Sequence, residues 1–265
     1  LYRSSHMQAM RFDDGATSKI DMIHFALDFG NSRVKCYAQG PQLLGAFAYS
    51  TDDWDAALIA IIEEHALGKE YIIGISSVNP GMDQQFNGAL EHQGCTTIRT
   101  KILLAESGTI DFSNISGMGE DRMHGLFGAL QVTQSPLITI DCGTAITFNV
   151  VNEQGICLGG AIMPGFTTMY STLSSQTAGL PLLAPQPTSH LTGISTQDAI
   201  HAGISTAISG AISNYMDAFP DYEFLVLGGD AESIMAIMEG KHQKQLRYVP
   251  DCIARGIFAA LALKP

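Results

Sequence analysis

The sequence predicts a duplicated α/β fold, two mixed-sheet domains flanking a nucleotide cleft. Three observations predict it. Residues 138–150, Ile-Thr-Ile-Asp-Cys-Gly-Thr-Ala-Ile-Thr-Phe-Asn-Val, read as a buried strand, a tight turn at Cys142-Gly143 and a second strand rich in β-branched residues. Residues 25–35, Phe-Ala-Leu-Asp-Phe-Gly-Asn-Ser-Arg-Val-Lys, repeat that design about half a chain earlier. The order strand, strand, strand, helix, strand, helix then occurs twice. An isolated Asp-x-Gly-Thr is more often a hairpin turn than a site. Two copies facing each other are a different matter. Each offers a carboxylate at a strand end, bare amides and hydroxyls, the groups that hold phosphates and a cation. Gly143 permits a positive φ and lets a ligand approach the backbone.

Each element follows in order. Residues 1–21 are polar and lack the apolar run of a secretory signal. Ser4-Ser5-His6-Met7 reads as a vector-derived tag, so the natural chain is expected to begin at Met22. Strands are predicted over 22–28, 34–38 and 43–49, with Gln39-Gly40-Pro41 as a turn. Asp52 or Asp53 is expected to cap a helix through His65, in which Trp54, Ala57, Leu58, Ile61 and Ile62 recur at three and four. A strand over 71–76 ends before Asn79-Pro80-Gly81, and a helix follows over 83–92. Residues 107–118 read as a loop, and a helix runs from 120 to 132. The second half predicts strands over 137–141, 145–151 and 155–162, with a turn at Asn152-Glu153-Gln154-Gly155. A helix to 175 follows Pro164-Gly165, and 181–187 are extended. A long helix over 196–218 precedes a strand over 224–227, the turn Gly228-Gly229 and a helix from Ala231. A short strand near Tyr248 and a helix from Cys252 complete the pattern. The domains divide as 22–133 and 134–265, with the last helix able to pack back on the first.

Composition narrows the function. Of 265 residues, 46% are hydrophobic and only 15% charged, which places the chain among globular proteins. A net charge of −12 argues against nucleic acid, whose binding rests on Lys and Arg neutralising phosphates. No apolar run reaches the ~18 residues of a membrane span. Five cysteines without a C-x-x-C pair suggest a reducing cytoplasm. Cys142 fits as a small core filler. Eight histidines form no H-x-x-x-H pair, so a structural zinc site is not expected.

From Met22 onward the sequence resembles the type III pantothenate kinases, a family within the actin, sugar kinase and heat-shock chaperone group. Asp28-Phe29-Gly30-Asn31-Ser32-Arg33-Val34-Lys35 resembles the first phosphate motif. Gly119-Glu120-Asp121-Arg122 resembles the pantothenate motif, and Asp141-Cys142-Gly143-Thr144-Ala145-Ile146-Thr147 the second phosphate motif. Residues 159–165 (Gly-Gly-Ala-Ile-Met-Pro-Gly) and 177–181 (Thr-Ala-Gly-Leu-Pro) match two further stretches, and Gly228-Gly229 resembles the adenosine-side glycines. Each motif alone is weak, and their order and spacing carry the resemblance.

The resemblance implies a duplicated ribonuclease H-like, actin-like ATPase fold. It implies ATP-dependent phosphorylation of pantothenate to 4′-phosphopantothenate, the opening step towards coenzyme A. Such a transfer needs positioning, charge neutralisation and a base for the attacking hydroxyl. By resemblance Asp121 is that base. Gly119, Glu120, Arg122 and Thr177 contact the substrate, with Thr177 crossing to the partner of a homodimer. Asp28, Phe29, Gly30, Asn31, Ser32, Arg33, Val34, Lys35, Thr144, Gly228 and Gly229 bind ATP. Asp28 helps hold Mg²⁺, and Asp141 binds a monovalent cation, K⁺ or NH₄⁺. Three positions depart from the family. Asn149 replaces an Asp that closes the second phosphate motif, Leu227 replaces a Thr before the adenosine glycines, and Phe112 replaces a substrate-side Tyr. Read without the resemblance, Glu120-Asp121 is a capping pair at a helix start, and Thr177 is a helix-exit residue. Two other functions stay open on the same fold: a non-catalytic nucleotide-binding accessory or regulatory protein, and a kinase or phosphohydrolase for another small substrate.

Overall fold

The computed structural model describes residues 22–90, 95–238 and 240–263. The tag reading of residues 1–21 and the predicted helix end at His92 lie outside them. The first half runs β1 (Ile23–Phe29), β2 (Arg33–Ala38), β3 (Gln42–Ala48), α1 (Trp54–Ala66), β4 (Tyr71–Ser77), α2 (Pro80–Leu90), β5 (Thr96–Arg99), α3 (Thr100–Glu106) and α4 (Glu120–Leu130). The second runs β6 (Leu137–Cys142), β7 (Ala145–Val151), β8 (Cys157–Pro164), α5 (Phe166–Gln176), α6 (Thr196–Ala218), β9 (Glu223–Leu227), α7 (Ala231–Ile237), α8 (Gly240–Gln245), β10 (Leu246–Tyr248) and α9 (Cys252–Ala262).

The two sheets have one topology. The first is ordered β3-β2-β1-β4-β5 and the second β8-β7-β6-β9-β10. In each, the first three strands form an antiparallel meander, the fourth pairs in parallel with the first, and the fifth pairs in parallel with the fourth. The central strands β1 and β6 are buried because both faces are covered, and their sequences are accordingly near-continuous apolar runs. Asp28 and Asp141 occupy the penultimate position of each.

Local expectations are corrected at three places. Asp53 precedes α1 in the left-handed region (φ 60°) and makes no side-chain cap bond. An N-cap needs extended backbone for its carboxylate to reach the first free amides. The buried stripe of α1 is Trp54, Leu58, Ile62 and Ala66, a strict spacing of four that leaves Ala57 outside. Burying Leu58 and Ile62 contributes about 1.5–3 kcal/mol each relative to exposure. Gly143 is absent from the positive-φ residues, and the β6–β7 turn falls at Gly143-Thr144, one residue later than predicted. The glycine that this turn demands is Gly165, where a Cβ would stand 1.9 Å from the Gly143 carbonyl oxygen.

Three large apolar cores result among the described residues, with a small fourth cluster where α9 meets β1 and β2. One covers the outer face of the first sheet with α1 and α2, and a second covers the outer face of the second sheet with α5, α6 and α7. The third lies between the sheets, built on α4 and α9. These helices cross at backbone contact. A Cβ on Gly128 would fall 1.7 Å from the Cys252 carbonyl oxygen, and one on Gly256 2.0 Å from that of His124. The helix α9 also packs on β1 and β4, where Gly74 leaves room for Ile257 and Leu261.

Candidate active site

The strand ends of the two sheets open onto a cavity of about 470 Å³. Asp28, Asp121 and Asp141 line it together with Lys35. Parallel topology explains the placement, since ligands gather beyond the carboxyl ends of such strands. Asp28 pairs in register with Lys35 on β2, which sets an ammonium beside the carboxylates. Burial pushes the Asp28 carboxyl up to about 6, with Lys35 opposing and Asp121 adding. Burial pushes Asp141 to about 7, and the charges of Asp121 and Asp28 add to it. Burial also raises Asp121, against the Arg122 backbone amide and guanidinium. Three carboxylates therefore share one buried cleft and one nearby ammonium, an arrangement that calls for further positive charge.

The first turn is braced from outside. Tyr49 Oη donates to the Gly30 carbonyl at 3.1 Å, and Asn79 Nδ2 to that of Asn31 at 3.4 Å. Gly30, Asn31, Ser32 and Arg33 line the cavity, as do Thr144, Gly228 and Gly229. Gly228 has φ 94°, and a Cβ there would meet the Cys142 carbonyl at 2.3 Å and Asp141 Oδ1 at 2.5 Å. Only glycine lets this turn close over the end of β6. The hydroxyl of Thr147, opposite Asp141 in register, is buried without a hydrogen-bond partner among the described residues.

Asp121 sits in the first turn of α4. Its Oδ1 accepts from the Arg122 amide at 2.7 Å and occupies the space that a Cβ on Gly119 would take. That carboxylate is no helix cap, since Gly119 holds the cap position and no side chain bonds there. Glu120 turns away: its Oε2 accepts from the Ser77 amide at 2.9 Å. Its carbonyl meets His124 Nδ1 at 2.6 Å, and His124 Nε2 meets Thr100 Oγ1 at 2.7 Å. Burial pushes His124 down to about 4, so the ring carries a single proton at neutral pH. A carbonyl only accepts, so that proton belongs on Nδ1.

Several predicted site residues stand elsewhere. Phe29 and Val34 are fully buried beneath the first turn, so their side chains belong to the core and not to the cavity lining. Arg122 points to the second sheet, where its Nε donates to Asn149 Oδ1 at 2.5 Å. Asn149 is buried and donates in turn to Thr139 Oγ1 at 3.1 Å, away from the cavity lining. A neutral amide suits that position, because it accepts from the guanidinium while donating to a hydroxyl. Leu227 is buried in the inter-sheet core with only an edge on the cavity. Phe112 stacks on Phe127 at 6.3 Å, outside the lining. Thr177 is exposed at the end of α5, its hydroxyl donating to the Leu173 carbonyl at 2.7 Å. Sequence reasoning missed Tyr37, Val78 and Asp230, which also line the cavity. Asp230 had a readable signal, since it follows Gly228-Gly229 directly. Tyr37 had none, because strand alternation alone does not say which face meets a cleft, and Val78 lies in the bend just beyond β4, where no periodic pattern applies.

The arrangement matches known proteins at three levels. The family model for type III pantothenate kinase matches residues 24–218. A type III pantothenate kinase of Dichelobacter nodosus is 28% identical over 251 residues, covering 91% of this chain and 98% of its own. One from Flavobacterium johnsoniae is 30% identical over 219 residues, covering 78% and 85%. Among solved structures, a protein described as a Baf family transcriptional activator from Campylobacter jejuni aligns with TM-score 0.59 at 19% identity, covering 90% of this chain and 97% of its own. An activator of 2-hydroxyisocaproyl-CoA dehydratase from Clostridium difficile, solved with ADPNP, aligns with TM-score 0.51 at 12% identity, covering 92% and 96%. At such identities the structures speak for the actin-like fold alone. The sequence matches go further: spanning both sheets and all three aspartates, they show that this chain belongs to the type III pantothenate kinase family.

Proposed function

We propose that the cleft carries out the family's reaction, transfer of the γ-phosphoryl group of ATP to the primary hydroxyl of pantothenate. The product, 4′-phosphopantothenate, opens the route to coenzyme A. The observation that carries this reading is the convergence of Asp28, Asp121 and Asp141 on one cavity with Lys35. Asp121 takes the hydroxyl proton. Its burial suits that task, because a carboxyl raised above its ordinary range is a stronger base. Gly30, Asn31, Ser32 and Arg33 with Thr144 on one side, and Gly228 and Gly229 on the other, hold the nucleotide through backbone amides and hydroxyls. Arg122 stands outside the cavity lining with its Nε on Asn149, and its two terminal nitrogens are what it could offer an anionic part of the substrate.

The residues present fit cations. Asp28 would hold Mg²⁺ through the phosphates or water, and Asp141 with the unpartnered Thr147 hydroxyl would hold K⁺ or NH₄⁺. When bound, these ions neutralise the phosphates and relieve the repulsion among the three carboxylates. Among the described residues no helix is long and apolar enough to cross a membrane. The five free cysteines fit a reducing cytoplasm, where we place the reaction.

A coupled assay with ATP, pantothenate, Mg²⁺ and K⁺, each omitted in turn, tests the reading. Turnover is expected to require all four and to be far lower in Na⁺ than in K⁺ or NH₄⁺. Asp121→Asn should lower kcat by about 10² or more with ATP binding retained. Protein that binds both substrates yet forms no phosphopantothenate would instead be a nucleotide-binding accessory.

A further inference from the structure

We propose that Glu120 and His124 are positioning residues, which fasten the first turn of α4 to the C-terminal end of β4 and so fix the reach of Asp121. The inference rests on the reading of Asp121 as the base. Four polar contacts carry it. The Glu120 carboxylate accepts from the Ser77 amide at 2.9 Å. The Glu120 carbonyl accepts from His124 Nδ1 at 2.6 Å. The far side of the ring meets Thr100 Oγ1 at 2.7 Å, and that hydroxyl lies 2.9 Å from the Ile75 carbonyl. Glu120 is thus tied to β4 directly at Ser77 and, through His124, to the Thr100 hydroxyl, whose one proton is shared between His124 Nε2 and the Ile75 carbonyl.

The place of these ties on β4 matters. Between Ile75 and Ser77 lies Ser76, which pairs in register with Asp28 on β1. Just beyond, the Val78 amide donates to the Phe29 carbonyl at 3.0 Å. The end of β4 is therefore fixed to the strand that carries Asp28. Through Glu120 it is fixed to the residue before Asp121. The nucleotide-side carboxylate and the alcohol-side carboxylate share one rigid support.

Packing alone does not require this network. From His124 onward the α4 backbone is held by α9, through the contacts at Gly256 and Gly128 and the Cys252 thiol on the Gly125 carbonyl, which leaves the first turn to the polar ties. An α-helix spends one lone pair of each carbonyl on its own i+4 amide. The ring therefore engages the second lone pair of Glu120. His124 and Thr100 are both fully buried, where an apolar pair would fill the same space without desolvating any polar group. What the polar pair adds is a fixed orientation for the turn that carries Asp121. Displacement of a reacting group by about 1 Å can cost roughly 10² in rate.

The test compares kcat and KM for Glu120→Ala, Glu120→Gln, His124→Leu and His124→Asn, alone and with Asp121→Asn. Glutamine keeps an acceptor for the Ser77 amide, and asparagine keeps a donor near the Nδ1 position. Glu120→Ala and His124→Leu should each lower kcat about tenfold or more, with KM for ATP within about twofold. Glu120→Gln and His124→Asn should recover most of the loss. In the Asp121→Asn background the same substitutions should change kcat less than about twofold, since the group they position is gone. Equal losses in both backgrounds, no rescue by Gln and Asn, or no loss at all would overturn the inference and leave the base in place. Near-wild-type kcat in Asp121→Asn alone would remove the base itself. Should His124→Leu fail to fold, the Glu120 pair carries the test, because Glu120 is half-buried at the surface.

Discussion

A carboxylate's charge in this cleft depends on how much water reaches it. Asp28 and Asp141 have an ordinary value of 3.8 and are raised in the folded chain to about 6 and about 7. Between those limits the native state binds more protons than the unfolded chain. Their contribution to stability is thus full below about 3.8 and is lost as pH rises through 6 and 7. Asp141→Asn should therefore raise Tm at pH 8, on the order of 5 °C, when K⁺ and Mg²⁺ are withheld. The gain should shrink as pH falls below 7, and scanning calorimetry across pH 5–8 reads it directly. An unchanged gain at pH 5 would mean that Asp141 does not carry the strain. Asp28 and Asp141 were legible in the sequence because each ends an apolar strand in an Asp-x-Gly turn, whereas Asp121 was legible only through the family resemblance, since alone it reads as part of a capping pair. The partners of Arg122 and Glu120 were not. Asn149 and Ser77 meet them only through the packing of distant elements, and no local pattern encodes such a meeting.

Among the elements, the strands and long helices were legible, down to the three-residue β10 at Tyr248, while β5, α3 and α8 were not. The periodic apolar runs predicted β1–β4 and β6–β9 to within about two residues, and the long helix α6 to its observed bounds. The four-residue β5 and the seven-residue α3 went unread. Thr96-Thr97-Ile98-Arg99 is too short for alternation to stand out, and it pairs because β4 offers an open parallel edge. The duplication itself could have supplied β5, since its counterpart β10 occupies the same place in the second sheet. The left-handed start of α1 was invisible for another reason: Asp tolerates that conformation, and sequence alone does not separate it from a cap. The crossing of α4 and α9 gives an element-scale prediction. Gly128→Ala sets a methyl where the Cys252 carbonyl lies and should lower stability by about 3 kcal/mol or more, or prevent folding. Gly203→Ala, in the interior of α6 with nothing within 4 Å, should raise it by about 0.5–1 kcal/mol. Urea unfolding of both variants checks the pair, and equal shifts would sink the packing argument.

For the whole molecule, the prediction concerns a second chain. Thr177 is exposed and outside its own cavity lining, as a residue serving a partner would be. We predict a homodimer with two equivalent shared sites. Mixing an Asp121→Asn chain with a Thr177→Ala chain, each weak alone, should recover activity as mixed dimers form. Mixed dimers without recovery would assign each site to a single chain. The back-packing of α9 has a consequence in time. Its groove on the first sheet, at Gly74, is filled by Ile257 and Leu261, residues made nearly two hundred positions later. At ~5–20 residues per second, the first sheet waits on the order of 10–40 s with that groove bare. During synthesis, then, the first half is a sheet with an uncovered apolar face, a natural client for a chaperone, and it closes only when the chain that completes it has left the ribosome.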